Sequence, residues 1–396
     1  MSDIFGGVKA GERAGSAGSP LAGVTVLDFS QVVSGPICAR LLSDLGADVV
    51  KLEPFEGDII RHLEPKVGAD GMSVYFTWAN AGKRSITVNL RDGRGAELAR
   101  QLATSSDVVL ENFRPGVLEQ FGLDAPTLMA RNPTLVYCSV NGWGTANSWS
   151  NRRAYAAMVQ AEVGRVELDA RLRNAPMEQS PHVDGDITPG LLAVSGIVAA
   201  LFRRERTGEG DHVDVSMAEA LLYTDEWTTT ELTGYRGPRI PDTWNYPVFK
   251  VADGTGVAFM GDPHGRVVEV AAALTDSPIR RTRTREESIG LIADLVARFP
   301  DFPALEARMD QFGFLVAEVR TVRDVASTPW AAERSVFEEV EPGATAPARP
   351  FRMQHAVVGV QGRAPRLGEH TRQVLAERLA LADADLDGLE ADGVIR

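Results

Sequence analysis

Residues 24–53 read VTVLDFSQVVSGPICARLLSDLGADVVKLE, and their order decides the fold class. Residues 24–29 form a short apolar run that leads to the turn Ser34-Gly35-Pro36. Over 36–45, apolar side chains recur at helical spacing: Ile37, Ala39, Leu41, Leu42 and Leu45. Gly46 closes that helix as a C-cap, and 48–53 (DVVKLE) reads as the next strand. The alternation continues. Strands are expected at 85–90 (SITVNL), 108–111 and 135–140 (LVYCSV), with helices at 92–105 and 116–121. Short apolar strands alternating with helices predict a parallel sheet covered on both faces, a doubly wound α/β domain.

After the loop 141–154 the character changes. A helix is expected at 155–170, a loop at 181–189, a long apolar helix at 190–205, a strand at 212–215 and a helix at 217–224. A Pro/Gly/aromatic linker covers 234–245. A strand at 254–259 and helices at 287–299, 302–312 and 322–327 then suggest a smaller α+β domain. The expected organisation is a flexible tail over 1–19, a large domain over 20–227 and a small domain over 228–335. Residues 336–396, strand-rich at first and closed by a helix at 371–381, return to the large domain.

The 396 residues carry 41 Lys and Arg against 54 Asp and Glu, a formal net charge of −13. An acidic chain argues against a nucleic-acid partner. Any anionic ligand then needs a local cationic or backbone-amide site, because the global field repels it. Cys38 and Cys138 stand far apart with no CxxC pair, which reads as two buried free thiols in a reducing cytoplasm. Residues 1–19 lack the apolar core of a signal peptide. The longest apolar run, 187–202, is interrupted by Thr188, Pro189, Gly190, Ser195 and Gly196. It falls short of the roughly 20 apolar residues of a membrane span, so a buried helix and no membrane partner are expected.

The absent motifs narrow the chemistry. There is no GxGxxG and no GxxxxGK[ST], which removes the usual phosphate-binding turns, and no GxSxG nucleophile elbow. The six histidines form no HExxH or close ligand pair, so no metal site is expected.

Three segments can carry chemistry. Residues 111–116 (ENFRPG) follow a strand, where ligands bind in such sheets. Asn112 offers an amide and Arg114 a phosphate partner, although an ordinary strand–helix turn uses the same residues. In 184–190 (DGDITPG), Thr188 fits an N-cap and Pro189 the first helical position. Asp186 would then lie just before a helix N-terminus, whose dipole favours the ionised carboxylate a covalent nucleophile needs. Gly185 and Gly190 would leave room for a bulky substrate, and plain capping explains the segment equally well. The third segment is basic: Lys83-Arg84 and Arg91, with Arg152-Arg153, are either cations for an anionic ligand or a solvated face.

Taken together, these segments resemble the class III CoA-transferase family, also called CaiB/BaiF. Residues 20–29 (PLAGVTVLDF) are similar to the family's opening PL-x-G-x-x-VLD, followed by 34–36 (SGP), 45–53 (LGADVVKLE) and 80–85 (NAGKRS). Then come 111–116 (ENFRPG), 121–123 (FGL), 207–213 (TGEGDHV) and 367–371 (LGEHT). The resemblance runs from about Pro20 to the C-terminus.

It implies a large Rossmann-like domain built from both chain ends, a smaller domain between, and an interlocked homodimer. It places the nucleophile at Asp186, in a GD-x-x-x-G segment before a long helix. The implied reaction moves CoA from an acyl-CoA to a small carboxylic acid through covalent aspartyl intermediates. Coenzyme A is then a substrate, with no permanently bound cofactor. Positions aligned with the family's CoA contacts are Val33, Ser34, Val88 to Arg91, Asn112, Phe113, Arg114 and Arg153 to Tyr155.

The departures matter. Pro54 and Gln120 stand where basic residues are frequent in the family, and Arg91, Arg114 or Arg153 are the alternatives expected for the CoA phosphates. Ala156 follows Tyr155 where many transferases carry an acid, and 234–238 (GYRGP) is a poor substitute for their glycine loop. The related α-methylacyl-CoA racemases resemble GHD-x-x-Y here, but this chain lacks the histidine and its neighbouring acid. Racemase chemistry and CoA binding without turnover are the alternatives.

Overall fold

In a computed structural model that describes residues 18–234, 247–260, 266–275, 282 and 284–396, the chain divides into two compact units. One comprises the residues up to 165, 179–228 and 335–396; the other comprises 166–178 and 229–334. The linker expected at 234–245 lies outside the described residues from 235 onward, and the tail does so up to 17.

The first unit is organised by its strands. Up to residue 228 they are, in chain order, β1 (Thr25–Asp28), β2 (Asp48–Glu53), the two-residue pair β3 (Lys66–Val67) and β4 (Met72–Ser73), β5 (Arg84–Thr87), β6 (Val108–Glu111), β7 (Val136–Asn141) and β8 (Asp211–Ser216); a separate antiparallel pair, Phe337–Glu341 with Ala344–Pro347, follows in the returning segment. Of β1 to β8, all but β3 and β4 form one parallel sheet of order β5-β2-β1-β6-β7-β8. Its helices are α1 (Ser34–Asp44), α2 (Val74–Asn80), α3 (Gly93–Thr104), α4 (Ala125–Arg131), α5 (Ala156–Glu162), α6 (Arg165–Arg173, whose later residues fall in the second unit), α7 (Asp184–Thr207) and α8 (Met217–Thr224).

Register explains the double covering. Val26 lies opposite Val49 and Val108, and Leu27 opposite Val50 and Val109. Successive strand residues face opposite sides. The first row therefore packs with Cys38 and Leu42 of α1 and Ala193 and Ile197 of α7. The second packs with Leu98 and Leu102 of α3 and with Val374 and Leu375 of the C-terminal helix Thr371–Leu379, which a last helix, Asp383–Ala391, follows. The C-terminus also returns to the sheet edge: Asn89 N–H donates to Val394 C=O at 2.9 Å, and Val88 bridges Ile395.

The second unit has its own core. A three-stranded antiparallel sheet of Val248–Lys250, Gly256–Phe259 and Val316–Glu318 packs Phe249, Val257 and Phe259 against Ile292, Leu305 and Met309 of two helices.

Three local expectations are corrected. The helix expected at 155–170 is two helices, α5 and α6, broken at Gly164, where φ is +87°. The one expected at 116–121 shrinks to a single 3-10 turn, Glu119–Phe121. The third correction bears on the site. Helix α7 begins at Asp184, four residues before the expected cap at Thr188, and Pro189 lies inside it. Val183 is the N-cap and its side chain caps nothing; instead the Gln160 side-chain oxygen accepts the Gly185 N–H at 3.1 Å. A tertiary cap replaces the local one. Proline at 189 withholds a helical N–H, a cost of up to about 3 kcal/mol that α7 offsets by packing.

That packing uses glycine. A Cβ on Gly185 would stand 2.8 Å from Ala156 Cα, and one on Gly190 2.6 Å from the Ser34 carbonyl oxygen. These glycines admit the chain's own backbone, rather than leaving room for substrate as expected. Helix α7 is the one described helix long and apolar enough to cross a membrane, and its Ala193, Val194, Ile197, Ala200 and Leu201 lie in the core.

Gly190→Ala should separate α7 from α1 and lower stability by about 1–3 kcal/mol, the usual cost of overpacking a close contact. Denaturant unfolding reads this directly, and an unchanged midpoint would contradict the close approach.

Candidate active site

The site begins at the C-terminal end of β1, where residues 29–33 turn into α1. Four side chains hold this turn. Asp28 accepts the Ser30 N–H at 2.9 Å and the Ser30 hydroxyl. Asn112 pairs with both backbone groups of Gln31: its oxygen accepts the N–H at 2.8 Å and its amide donates to the carbonyl at 2.7 Å. Asp58 accepts the Val32 N–H at 3.1 and 3.2 Å from its two oxygens. Lys51 donates to the Ser30 carbonyl at 2.5 Å and pairs with Asp58 at 3.1 Å.

These charges are out of water. The side chains of Lys51, Asp58, Lys83 and Asp28 are fully buried. Lys83 donates to Asp28 at 2.9 Å, to the Pro36 carbonyl at 3.0 Å and to Asn80 at 2.8 Å. Burial opposes the charge on each, yet the facing carboxylates of Asp28, Asp58 and Glu53 hold Lys51 above its ordinary range. The lysines likewise hold Asp28 below the usual carboxylate range against the effect of burial. Burial brings Lys83 down to about 8.

Beyond this turn lies a cavity of about 220 Å³, lined by Ser34, Asn112, Phe113, Arg114, Tyr155 and Asp186 among others. Six of the residues singled out from the sequence therefore meet in one place. An adjoining cavity of about 420 Å³ contains Val88 and Arg91 with Leu90 and Phe121, and shares Gln31 and Phe113 with the first. Val33 and Arg153 line neither cavity. Val33 is the N-cap of α1, where its carbonyl accepts the Ile37 N–H and its side chain caps nothing.

Asp186 sits in the first turn of α7, not ahead of it. Among the described residues its carboxylate has no hydrogen-bond donor and no cation. The dipole favours its anion, but burial outweighs that and raises the carboxyl to about 6. It still ionises at neutral pH.

The expected cations are mostly committed elsewhere. Lys83 serves Asp28, and Arg84 pairs with Asp48 at 2.5 Å and Glu377 at 2.7 Å. Arg152 pairs with Glu162 at 2.5 Å and lies over the Trp143 and Trp149 rings. Arg91, Arg114 and Arg153 form no ion pair among the described residues. The Asn112 amide, expected to face a ligand, is spent on Gln31.

Sequence reasoning missed several participants. Gln31 and Val32 line the cavity. Glu111, which accepts the Phe113 N–H at 2.7 Å, is raised to about 7 by burial. Ser139 links to His212 Nε2 at 3.0 Å beside a third cavity of about 310 Å³. Lys51 and Asp58 carried no local signal, because charged residues in a strand and a loop look the same whether solvated or paired.

A family model described as CoA-transferase family III matches residues 21–371. The chain is 32% identical over 396 residues to a succinyl-CoA:mesaconate CoA-transferase of Haloarcula marismortui, covering 93% of this chain and 98% of that one. It is 30% identical to a formyl-CoA:oxalate CoA-transferase of Streptomyces avermitilis, with 95% and 99% covered. A crystal structure of a CaiB/BaiF family protein from Brucella suis superposes with a TM-score of 0.78 at 30% identity, covering 91% of this chain and all of that one. The chain belongs to CoA-transferase family III and is an enzyme of that class.

A carboxyl whose folded pKa is raised favours the fold when neutral. Ionised Asp186 therefore lowers stability above about pH 6, and the penalty fades as pH falls from 6 to 4. Asp186→Asn should be more stable than the unaltered protein at pH 8 by about 1–3 kcal/mol, with the gap closing near pH 4. Urea unfolding at both pH values measures it, and an equal or lower stability at pH 8 would contradict the assignment.

Proposed function

We propose that this family III CoA-transferase moves CoA from an acyl-CoA to a small carboxylic acid through covalent intermediates on Asp186. The observation that carries the reading is the Asp186 carboxylate itself, half-buried and, among the described residues, unpaired in the cavity shared with the Asn112–Arg114 turn. An anion stripped of donors and cations is a stronger nucleophile than one in a salt bridge.

The steps balance without a net proton. An Asp186 oxygen attacks the thioester carbonyl carbon, the C–S bond breaks, and a mixed anhydride and CoA thiolate result. The thiolate attacks the Asp186 carbonyl, giving an aspartyl-CoA thioester and freeing the donor acid. The acceptor carboxylate then attacks that thioester, forming a second anhydride and expelling thiolate. Finally the thiolate attacks the acceptor's acyl carbon, which releases the new acyl-CoA and restores the Asp186 carboxylate. Each attack develops an oxyanion. The N-terminus of α1, at Ser34 on the cavity wall and without a side-chain cap, supplies backbone N–H groups suited to it.

Coenzyme A fits the two joined cavities. Val88, Leu90 and Phe121 offer apolar contact for its base and pantetheine arm. Arg91, Arg114 and Arg153, which form no ion pair among the described residues, are the cations left for its phosphates on an acidic protein. The relatives named above act on mesaconate and oxalate, both dicarboxylates. We assign a short dicarboxylate as the acceptor class to try first. Arg152, fixed by two tryptophans and Glu162 on the cavity wall, would face its second carboxylate. No histidine lines the Asp186 cavity among the described residues, which favours transfer over α-proton exchange. The buried thiols of Cys38 and Cys138 fit a reducing, cytoplasmic setting.

An interlocked homodimer completes the proposal. Helix α7 exposes Leu191 (46%), Val198 (38%) and Phe202 (64%) along one face, and Tyr223 on α8 is 85% exposed. An apolar stripe of this kind is suited to burial against a second copy. Light scattering after size exclusion should give twice the chain mass of 42.7 kDa; a stable monomer would refute the dimer.

Asp186→Ala should reduce transfer on the order of 10⁴-fold while CoA still binds. In the unaltered enzyme the rate should fall about tenfold per pH unit below pH 6, as the nucleophile takes up its proton. Steady-state kinetics with succinyl-CoA and a panel of dicarboxylates tests both. Undiminished turnover by Asp186→Ala would overturn the mechanism, and deuterium uptake at the α-carbon would indicate racemase chemistry instead.

A further inference from the structure

Val32 stands in the left-handed region, with φ at +67°, in the turn that leads into α1. For a β-branched residue this conformation is a genuine outlier, and it persists only where the surroundings enforce it. Its own side chain does not: Val32 is only partly buried at the edge of the small apolar cluster of Ile60, Phe76 and Ala364.

The enforcement comes from behind the turn. Both carboxylate oxygens of Asp58 reach the Val32 N–H, at 3.1 and 3.2 Å. Asp58 in turn accepts the Ile60 N–H at 3.2 Å, pairs with Lys51 at 3.1 Å and donates its own N–H to Glu53 at 3.1 Å. Glu53 is fixed by Arg61 at 2.6 and 2.8 Å and by the Ser85 hydroxyl at 2.6 Å. Lys51 also donates to the Ser30 carbonyl two residues before Val32, at 2.5 Å. Lys51 and Asp58 thus grip the turn on both sides of Gln31, and neither lines the cavity that contains Asp186.

We propose that Asp58, charged against Lys51, is a positioning residue for the transfer reaction: it holds Val32 in its left-handed conformation and so fixes where the α1 N-terminus meets the Asp186 cavity. The inference rests on the reading of that cavity as the reacting centre. The pair acts first on the chemical step, through the turn at the Asp186 cavity; the groove at Val88 to Arg91 shares Gln31 with that turn and is lined by Leu52, Pro54, Phe55 and Glu56 between Lys51 and Asp58, so acyl-CoA binding feels the pair to a lesser degree. Misplacing a reacting group by about 1 Å can cost about a hundredfold in rate.

The test exploits glycine, for which the left-handed conformation costs nothing. The paired variant Lys51→Met/Asp58→Asn removes both buried charges together, which leaves neither one uncompensated. Its kcat should fall about 30-fold, with a much smaller rise, about threefold, in the KM for acyl-CoA. Adding Val32→Gly should restore about tenfold of that loss, measured against Val32→Gly alone. A purely structural role predicts no restoration, with kcat and melting temperature falling and KM rising in step; either result would overturn the proposal. Hydrogen exchange on the unaltered protein gives a second readout that needs no variant to fold. The amides of residues 30–32 should exchange as slowly as those of β1, and exchange at open-loop rates would also overturn it. The same exchange on Asp186→Ala separates the two readings: slow exchange with undiminished turnover there removes the nucleophile and leaves the clamp.

Discussion

The turn after β1 is held by charges that have no water to fall back on. Lys51, Asp58, Lys83 and Asp28 have fully buried side chains, and they are satisfied by one another, by the side chains of Ser30 and Asn80, and by backbone groups of residues 30–36 and 60. A buried ion pair adds little net stability compared with well-packed apolar residues, but breaking one partner away is costly. Such a network therefore specifies a conformation more than it stabilises a fold. Here the conformation includes a left-handed valine, a cost of about 1–3 kcal/mol, matched by charge-assisted bonds of about 1.5–3 kcal/mol each. The α1 N-terminus, the Asn112–Gln31 pairing and the wall of the Asp186 cavity all follow from the placement of that turn.

Helix α7 carries the other half of the site. It is drawn against α5 at Gly185 and against α1 at Gly190, so its first turn is fixed by tertiary contact. That contact brings Asp186 to the same cavity as the turn. The carboxylate it delivers is uncomfortable by construction, raised to about 6 with no compensating donor among the described residues. On the proposed mechanism, stability is given up where reactivity is needed, and the apolar packing of Ala193, Ile197 and Ala200 offsets it.

Much of this was legible in the residues and some was not. Strands 48–53 and 108–111 and helix 217–224 coincide with their sequence boundaries, because apolar runs bounded by glycine and charge define them locally. Asp186 and the 111–116 turn could be singled out from spacing and family resemblance. The start of α7 could not, since its cap is the side chain of Gln160 rather than Thr188. Lys83-Arg84 looked like a solvated or ligand-facing pair, yet Lys83 meets an aspartate 55 residues away. Asn112 is spent on a backbone 81 residues away. Long-range hydrogen bonds leave no periodicity in a sequence. The last helix, Asp383–Ala391, was missed because its short, acidic stretch shows little apolar patterning.

The central claim is that Asp186 becomes acylated during turnover. The most direct measurement is to quench the enzyme with hydroxylamine during reaction with succinyl-CoA and sequence its peptides by mass spectrometry. The account predicts a hydroxamate on Asp186 that requires acyl-CoA and is absent from Asp186→Ala. An enzyme that turns over under the same conditions while Asp186 remains unmodified, or with the adduct on another residue, would contradict it.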